Sequence, residues 1–438
     1  MRPLSLAGPS LPGVPSQNTE GVCACAALQF LHSQRGSRAR RPAAGEDEVS
    51  IEMQRKEAAV SARGRVRFPD SFIWGAATAA HQVEGNNVNS DWWDSEVREG
   101  STLSSPSGDA ADSYHRYRED IDLVAESGLG AYRFSIEWAR VEPVEGTFSK
   151  AELDHYRRMV AHCVDRDVQP IVTLNHFTLP LWLRRRGGWL AQRAPRLFER
   201  YVQRLVPSLA GNVEFAVTIN EPNVLVAMER KAQGDSEWAS EPALTAALID
   251  AHQRAVRILR LAGIQAGWSV ASQQFGSQFA GEGALLEGAC PGGNVFLEAA
   301  RSDDFIGVQA YAALRPAEGM ASGEDFAVQE EGSRAIAEAA RWAWEASRVP
   351  VFVTDNGLAS DDDLRRVEFT GHALLHLHRV IDAGLPLVGY LHWSLLDGHG
   401  WFSREPTAGL VHVDRTTFAR TPRPSLAWLG AVARNGGF

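Results

Sequence analysis

From Val66 onward, short apolar segments alternate with segments that have the period of an amphipathic helix, and this alternation constrains the fold most strongly. The apolar segments are rich in β-branched and aromatic residues, as buried strands are. They are Phe72–Val83, Ala131–Trp138, Gln169–Phe177, Val213–Asn220, Gln265–Phe275, Asp304–Tyr311, Val349–Thr354 and Leu387–Leu395. Eight strands that alternate with helices within a 438-residue chain predict an α/β fold, a (β/α)8 TIM barrel.

The segments between the strands have helical period. In Pro242–Gly263, for example, Leu244, Leu248 and Ala251 recur at spacings of three and four. The others are Asp112–Ser127, Lys150–Asp167, Ala191–Ala210, Asn294–Arg301, Ser333–Ser347, Asp363–Gly384 and Ser425–Asn435. A doubly wound open sheet is the alternative, but no Gly-rich phosphate-binding motif follows the first strand, and this favours the barrel.

Composition and charge narrow the classes of partner. The chain is 44% hydrophobic and 22% charged, so we expect a large buried core and neither a disordered nor a membrane-spanning protein. A formal net charge of -10 argues against nucleic acid as the main partner, because phosphate binding needs a basic surface. The same charge fits simple solubility equally well.

Cysteines are few, and their placement predicts no metal site. Cys23, Cys25, Cys163 and Cys290 form no metal-ligand pattern, and their scarcity fits a reducing cytoplasm. The histidines and acidic residues of the motifs below lie singly on separate strands, without the helical spacing of metal ligands. We therefore expect no metal and no organic cofactor. The oligomeric state is not readable from the sequence.

Residues 1–64 differ in composition from the rest of the chain. They are rich in Pro, Ser, Ala and Arg and have no sustained helical or strand period. The apolar stretch Val22–Leu31 lacks a preceding cationic run and is not typical of a signal peptide. We expect a disordered extension; its arginine cluster also fits a transit peptide or basic tail, and a misassigned start near Met53 explains the segment equally well. Residues 65–438 are then expected to form a single barrel domain.

Two of the apolar segments end in a carboxylate. Glu221 follows the fourth predicted strand and Asp355 ends the seventh, and helix-breaking residues follow each of them, Pro222 in one case and Asn356-Gly357 in the other. Each motif alone would usually be a helix cap or a turn. In a barrel, however, chemistry lies at the carboxyl ends of the strands. Two carboxylates that face one pocket suit the cleavage of a glycosidic bond.

Several further motifs extend over most of the chain from about Arg67 to Gly436. They are Phe68-Pro69, Phe72-Ile73-Trp74-Gly75-Ala76-Ala77-Thr78, Gln82-Val83-Glu84-Gly85, Tyr132-Arg133-Phe134-Ser135-Ile136-Glu137-Trp138, Thr173-Leu174-Asn175-His176-Phe177, Asn220-Glu221-Pro222, Asp304-Phe305-Ile306-Gly307 and Trp393-Ser394-Leu395-Leu396-Asp397. With these motifs the sequence resembles family 1 of the glycoside hydrolases, the β-glucosidase and β-galactosidase family. The resemblance implies a retaining β-glycosidase whose substrate is a small β-glycoside or an oligosaccharide.

The resemblance also implies roles for the residues at the reacting centre. Glu221 matches the general acid/base, and Asp355 occupies the position of the nucleophile. Asn220 matches a residue that hydrogen-bonds the sugar 2-hydroxyl. Arg133 matches an arginine that orients the nucleophile and lowers its pKa, and Tyr311 matches a tyrosine that hydrogen-bonds the nucleophile.

A second group of matches concerns the sugar that the pocket encloses, the glycon. Gln82 and His176 match residues that bind the glycon hydroxyls. Trp393 matches the platform under the sugar ring, and Trp401 matches a second indole nearby. Gln309 supports the site from a position where the family more often has an asparagine.

The chain departs from the family pattern at the nucleophile and at the glycon anchor. The family has a glutamate where this chain has Asp355, so the carboxylate is withdrawn by roughly 1.5 Å, the length of one C–C bond. Gly400 replaces a glutamate that grips the glycon 4- and 6-hydroxyls, and His399 beside it is a candidate for a partial substitute. Phe177 replaces a frequent tryptophan. The connections between residues 221 and 304 are short, which implies a more open aglycon side.

Two function classes therefore remain open. The first is a β-glycosidase, most simply a β-glucosidase, with reduced or altered activity. The second is a catalytically silent barrel that binds a sugar or a partner. The retained motif residues favour the enzyme, whereas Asp355 and Gly400 favour the silent barrel. Transglycosylation by the same residues is a third alternative, and it depends on whether an acceptor outcompetes water.

Overall fold

Eight parallel strands close into a barrel in the order in which they occur in the chain. In this computed structural model the described residues are 66–99, 101, 105–232, 242–272, 293–311, 324–401 and 407–438, and the predictions for residues 1–64 lie outside them. The strands are β1 (Ile73–Ala77), β2 (Ala131–Ser135), β3 (Gln169–Thr173), β4 (Phe215–Asn220), β5 (Gln265–Ala271), β6 (Ile306–Gln309), β7 (Val351–Asn356) and β8 (Leu387–Trp393). The predicted (β/α)8 barrel is confirmed.

Helices follow the strands around the outside of the barrel, as the helical periods predicted. They are α1 (Ala80–Val83), α2 (Asp91–Val97), α3 (Ser113–Ser127), α4 (Trp138–Val141), α5 (Lys150–Asp165), α6 (Leu181–Arg184), α7 (Ala194–Leu209), α8 (Pro222–Ala232), α9 (Pro242–Leu261), α10 (Gly293–Ala299), α11 (Glu324–Ser347), α12 (Asp363–Asp382) and α13 (Pro424–Asn435). A small antiparallel pair, β9 (Val411–Val413) and β10 (Arg420–Pro422), lies beyond β8. No described helix is long and apolar enough to cross a membrane.

The first strand is shorter than the apolar segment that predicted it. Phe72–Val83 was expected to be one strand, but β1 ends at Ala77 and residues 80–83 form the helical turn α1. The Ser135 hydroxyl accepts a hydrogen bond from the Ala80 backbone N–H at 2.7 Å, which satisfies a donor that the first turn of a helix leaves unpaired. Gln82 lies in this turn and contacts the loop that follows β8.

The lower part of the barrel interior is filled with apolar side chains. Ring contacts join Phe215, Phe305 and Phe352 at centroid distances of 5.7–6.0 Å. Ala77, Ala131, Ile171, Val217 and Leu391 complete this cluster. The barrel is therefore a packed core below and can hold a pocket only at its upper, carboxyl-terminal end.

Candidate active site

Buried polar side chains project from the carboxyl ends of most of the strands. Arg133 comes from β2, Asn220 and Glu221 from the end of β4, Gln309 from β6 and Asp355 from β7, and all five are buried. His176 follows β3, and Gln82 lies on the turn after β1. The structure thus brings together residues that the sequence placed on separate strands.

The backbone at Glu221 is turned sharply towards the pocket. The pairing of β4 with β5 shifts its register between Val217 and Asn220, and Glu221 has a positive φ of 46°. The Glu221 N–H donates to the Ser269 carbonyl oxygen at 2.7 Å, and Pro222 then begins α8. A non-glycine residue with positive φ is strained, and such strain is concentrated at functional sites.

The two carboxyl groups have raised and unequal pKa values. Burial raises the pKa of Glu221 to about 8, the negative charge of Asp355 adds to the rise, and Arg133 opposes it. Burial also raises the pKa of Asp355 to about 6, against the opposing effect of Arg133 and of hydrogen bonds from Tyr311 and Gln309. Between these two values Glu221 carries a proton while Asp355 is ionised. This is the division of charge that an acid and a nucleophile require.

Arg133 links the Asp355 carboxylate to Asn220, the residue that precedes Glu221. Its Nη1 atom donates to Asp355 Oδ1 at 2.5 Å, and its Nη2 atom donates to Asn220 Oδ1 at 2.6 Å. Its Nε atom donates to Thr173 Oγ1 at 2.9 Å, which holds the guanidinium in place. Because the charge is buried, breaking this ion pair would leave an uncompensated group in the barrel.

The hydrogen bonds of Arg133 fix the tautomer of a histidine two residues away in the network. Arg133 and Gln309 both donate to Asn220 Oδ1, so the amide nitrogen of Asn220 must face His176 Nε2, at 3.2 Å. Burial holds the pKa of His176 well below its usual value, with Arg133 and His81 contributing, so the ring is neutral. Since Nε2 accepts from Asn220, the proton lies on Nδ1, and this buried atom has no partner among the described residues.

Gln82 is held by the loop that follows β8. Its Nε2 atom donates to the His399 carbonyl oxygen at 2.6 Å, and the His399 N–H donates to the Gln82 carbonyl oxygen at 2.7 Å. These two bonds, the backbone clamp, leave Gln82 Oε1 buried and without a partner in the described part of the chain. The clamp uses only the backbone of His399, while Gly400 next to it presents no side chain.

Aromatic rings line the same end of the pocket in a roughly parallel series. Trp401 lies between His81 and His176, at centroid distances of 5.3 and 5.9 Å and interplanar angles of 14° and 10°. His176 in turn stacks with Trp393 at 5.8 Å. Phe177 has a positive φ of 69° and meets Trp401 edge-on at 5.1 Å. Trp393 and Trp401 therefore flank His176, and the four rings His81, Trp401, His176 and Trp393 form a wall.

A buried carboxylate cluster beside this wall was not anticipated from the sequence. The Oε1 atom of Glu96, on α2, accepts a hydrogen bond from His81 Nε2 at 2.9 Å. His399 Nε2 lies 3.5 Å from the same oxygen. Ser107 donates to the other oxygen through its backbone N–H and its hydroxyl, at 2.9 and 2.6 Å. Burial alone would raise the pKa of Glu96, but the bonds from His399 and His81 hold it well below its usual range. The only sequence signal was an isolated histidine beside Gln82.

This cluster changes the interpretation of His399. We expected the side chain to substitute partly for the missing anchor at position 400, yet its Nε2 atom faces Glu96. Tyr311 lies at the end of β6, and a hydrogen bond joins it to Asp355. The prediction of short connections between residues 221 and 304 falls largely on residues 233–241 and 273–292, which lie outside the described residues.

A closed (β/α)8 barrel with two buried carboxyl groups of unequal pKa and an indole-lined wall defines a glycosidase-type site. The sequence matches the model of glycosyl hydrolase family 1 over residues 65–260 and 317–438. The chain belongs to that family.

Relatives and solved structures agree with this assignment. The chain is 32% identical over 460 residues to thermostable β-glucosidase B of Thermobispora bispora, covering 90% of this chain and 96% of that protein. The crystal structure of the β-glycosidase BGL167 shares 36% identity, with a TM-score of 0.72 and coverage of 85% and 98%. A β-glycosidase from Pyrococcus horikoshii shares 30% identity, with a TM-score of 0.71 and coverage of 86% and 96%. Together these relatives support a β-glycosidase.

Proposed function

We propose that the protein is a retaining β-glycosidase of the β-glucosidase type, with Glu221 as general acid/base and Asp355 as nucleophile. The observation that carries this proposal is the pair of raised pKa values, about 8 for Glu221 and about 6 for Asp355. Near neutral pH one group can give a proton while the other holds a negative charge. That is the starting state of a double displacement.

The reaction then has two steps. An Asp355 oxygen forms a bond to the anomeric carbon while the glycosidic C–O bond breaks, and Glu221 gives its proton to the departing oxygen. Water next attacks the anomeric carbon, Glu221 takes its proton, and the bond to Asp355 breaks. Each step inverts the anomeric centre, so the released sugar keeps the β configuration.

The short side chain of Asp355 is the main demand on this mechanism. Retaining enzymes hold their carboxyl groups about 5–5.5 Å apart, whereas inverting enzymes hold them about 6.5–9.5 Å apart. A displacement near 1 Å costs about a hundredfold in rate. The short Arg133 contact aligns the Asp355 carboxylate, and we infer that the enzyme works with a reduced rate constant.

Glycon binding rests on groups that have free hydrogen-bonding capacity. Gln82 Oε1 offers an acceptor and His176 Nδ1 offers a donor, both buried and unpartnered among the described residues. Such atoms are costly unless a ligand hydroxyl pairs with them. No carboxylate is available at position 400, so we expect weak discrimination between gluco and galacto substrates. The scarcity of cysteines is the basis for proposing a cytoplasmic location.

A silent sugar-binding barrel is the second candidate, because Asp355 and Gly400 both depart from the family pattern. The test is to incubate the protein with an aryl β-glucoside and follow the product anomer by NMR, with Asp355→Glu and Glu221→Gln in parallel. We expect slow release of β-anomer and a 2-fluoro-glycosyl adduct on Asp355. An inactive parent that Asp355→Glu activates would establish the silent barrel. α-Anomer as first product would indicate inversion, and a glycosylated acceptor would indicate transglycosylation.

A further inference from the structure

Gln309 lies directly beside Asp355 across two neighbouring strands. The pairing of β6 with β7 shifts between Val308 and Gln309, so that Val308 pairs with Val353 but Gln309 pairs with Asp355. The irregularity skips Thr354 and brings the amide and the carboxylate onto the same level at the pocket. Both side chains are fully buried, so neither can swing into solvent.

The amide of Gln309 has a fixed orientation. Its Nε2 atom donates to Asn220 Oδ1 at 2.8 Å, an oxygen that also accepts from Arg133, and it lies 3.2 Å from Thr354 Oγ1. A hydrogen bond from Gln309 also lowers the pKa of Asp355. The amide nitrogen therefore contacts the residue expected to bind the sugar 2-hydroxyl, and Gln309 pairs on the neighbouring strand with the expected nucleophile.

The lengths of the two side chains are complementary. An asparagine at position 309 would withdraw the amide by roughly 1.5 Å, one C–C bond, and the 2.8 Å bond to Asn220 could not form. A glutamate at position 355 would lengthen that side chain by a similar distance directly beside the paired Gln309. In a close-packed interior neither change is absorbed without displacement of its neighbour.

We propose that Gln309 is a positioning residue that sets the attack geometry of the short nucleophile, and that the two positions act as a matched pair in which Gln requires Asp and Asn suits Glu. This inference rests on the proposed role of Asp355. It implies that Asp355→Glu by itself does not produce a better enzyme, because the longer carboxylate meets the amide of Gln309. The exchange of both lengths restores the fit.

The test is a double-mutant cycle of the parent, Gln309→Asn, Asp355→Glu and the double variant on the full chain. For Gln309→Asn we expect kcat on an aryl β-glucoside to fall about ten- to a hundredfold, with a small change in KM. The acid limb of the pH profile should shift to higher pH, because the pKa of Asp355 rises when it loses a hydrogen-bond donor. The double variant should exceed Asp355→Glu by at least about tenfold.

Two controls separate positioning from a general loss of structure. Gln309→Met keeps about the same length but removes the amide donor without adding a charge, and it should reproduce the pH shift if the donor is what matters. Thermal unfolding of every variant shows which of them remain folded. Single effects that simply multiply in the double variant, or an Asp355→Glu enzyme as fast as the double variant, would overturn the pairing.

Binding of a basic iminosugar, measured by calorimetry, distinguishes failure of this inference from failure of the proposed function. A parent with neither turnover nor a 2-fluoro-glycosyl adduct would show that Asp355 is not a nucleophile. The same four variants would then be compared by their Kd for the iminosugar. Non-additive Kd values would still support the matched pair. Additive Kd values would overturn it independently of catalysis.

Discussion

The pocket has two ends that are built on different principles. At the carboxylate end, Arg133, Asn220, Gln309 and Asp355 hold one another through side-chain hydrogen bonds from four strands. At the glycon end, Gln82 is fixed by the backbone clamp, and the rings of the wall are packed against one another. In the proposed mechanism the first end orients the reacting groups and should control kcat, whereas the second binds the sugar and should control KM.

The largest expected effect is at Glu221, the proposed proton donor. Glu221→Gln keeps the shape of the side chain but removes the proton, so we expect kcat/KM to fall about 10²–10⁴-fold for substrates with poor leaving groups. The alkaline limb near pH 8 should disappear from the profile. Steady-state kinetics on aryl glucosides of increasing leaving-group pKa check this, with unfolding midpoints as the control. An unchanged alkaline limb would assign that limb to another residue.

Removal of the cation should damage the carboxylate end next most severely. Arg133→Met leaves Asp355 buried without its partner, at a cost of about 3–5 kcal/mol in the free energy of unfolding. The pKa of Asp355 should rise above about 6 because the charge that opposes burial is gone. Denaturant unfolding and the acid limb of the pH profile measure the two effects. Equal loss at every pH would show that Arg133 does not tune Asp355.

At the glycon end, Glu96→Gln should raise KM more than it lowers kcat. The change leaves His81 and His399 without a carboxylate partner and loosens the wall at Trp401. We expect it to cost about 1–3 kcal/mol in the free energy of unfolding. Kinetics with an aryl β-glucoside, together with tryptophan fluorescence, check this. As a matched comparison, Asp94→Asn changes an acidic residue on the same helix whose partner is the exposed Arg98, and it should leave KM unchanged. A larger change in kcat than in KM would contradict the division between the two ends.

The buried acid also predicts a pH dependence of stability. The folded pKa of Glu221, about 8, lies above the ordinary value of 4.5, so the folded state binds the proton more tightly than the unfolded chain. The resulting stabilisation is complete below pH 4.5 and is lost as the pH rises to 8. Glu221→Gln, which cannot ionise, should therefore gain stability relative to the parent by at least about 1.4 kcal/mol between pH 5 and pH 8. Urea unfolding at both pH values measures the difference, and a constant difference would refute the raised pKa.

The smallest effect is expected where a side chain is added. Gly400→Glu supplies a carboxylate to the glycon end, and we expect up to about a tenfold gain in discrimination between aryl β-glucoside and β-galactoside, about 1.4 kcal/mol. The ratio of the two kcat/KM values is the measurement. Gly400→Gln, similar in shape but neutral, is the matched control. An equal gain in both variants would attribute the change to shape and not to charge.

The sequence predicted the barrel, and it placed Glu221 and Asp355 at strand ends, because both features depend on local patterns. Strand periodicity fixes which residues end a strand, and in a parallel barrel those ends meet. The strand pattern alone therefore predicts that Glu221 and Asp355 face the same pocket, although they are far apart in the sequence. The same reasoning was wrong at β1. There an apolar run predicted one strand, although its end forms the helical turn that contains Gln82.

The glycon end was less predictable because it depends on contacts between distant segments. Glu96 lies on a short surface helix, and nothing in its local pattern distinguishes it from a solvated carboxylate. Only the return of the chain after β8 brings His399 to it. The orientation of the Asn220 amide, and with it the His176 tautomer, likewise follows from hydrogen-bond geometry that no sequence pattern records.

The backbone clamp has a consequence for how this pocket can be redesigned. Because main-chain atoms of His399 align Gln82, the side chain at position 399 can be exchanged without losing that alignment. Position 398 is less tolerant, since a Cβ atom there would come within 3.3 Å of Gln82. A saturation library at position 400 would thus vary what the sugar meets while the scaffold that presents Gln82 stays constant, because the His399 side chain remains against Glu96.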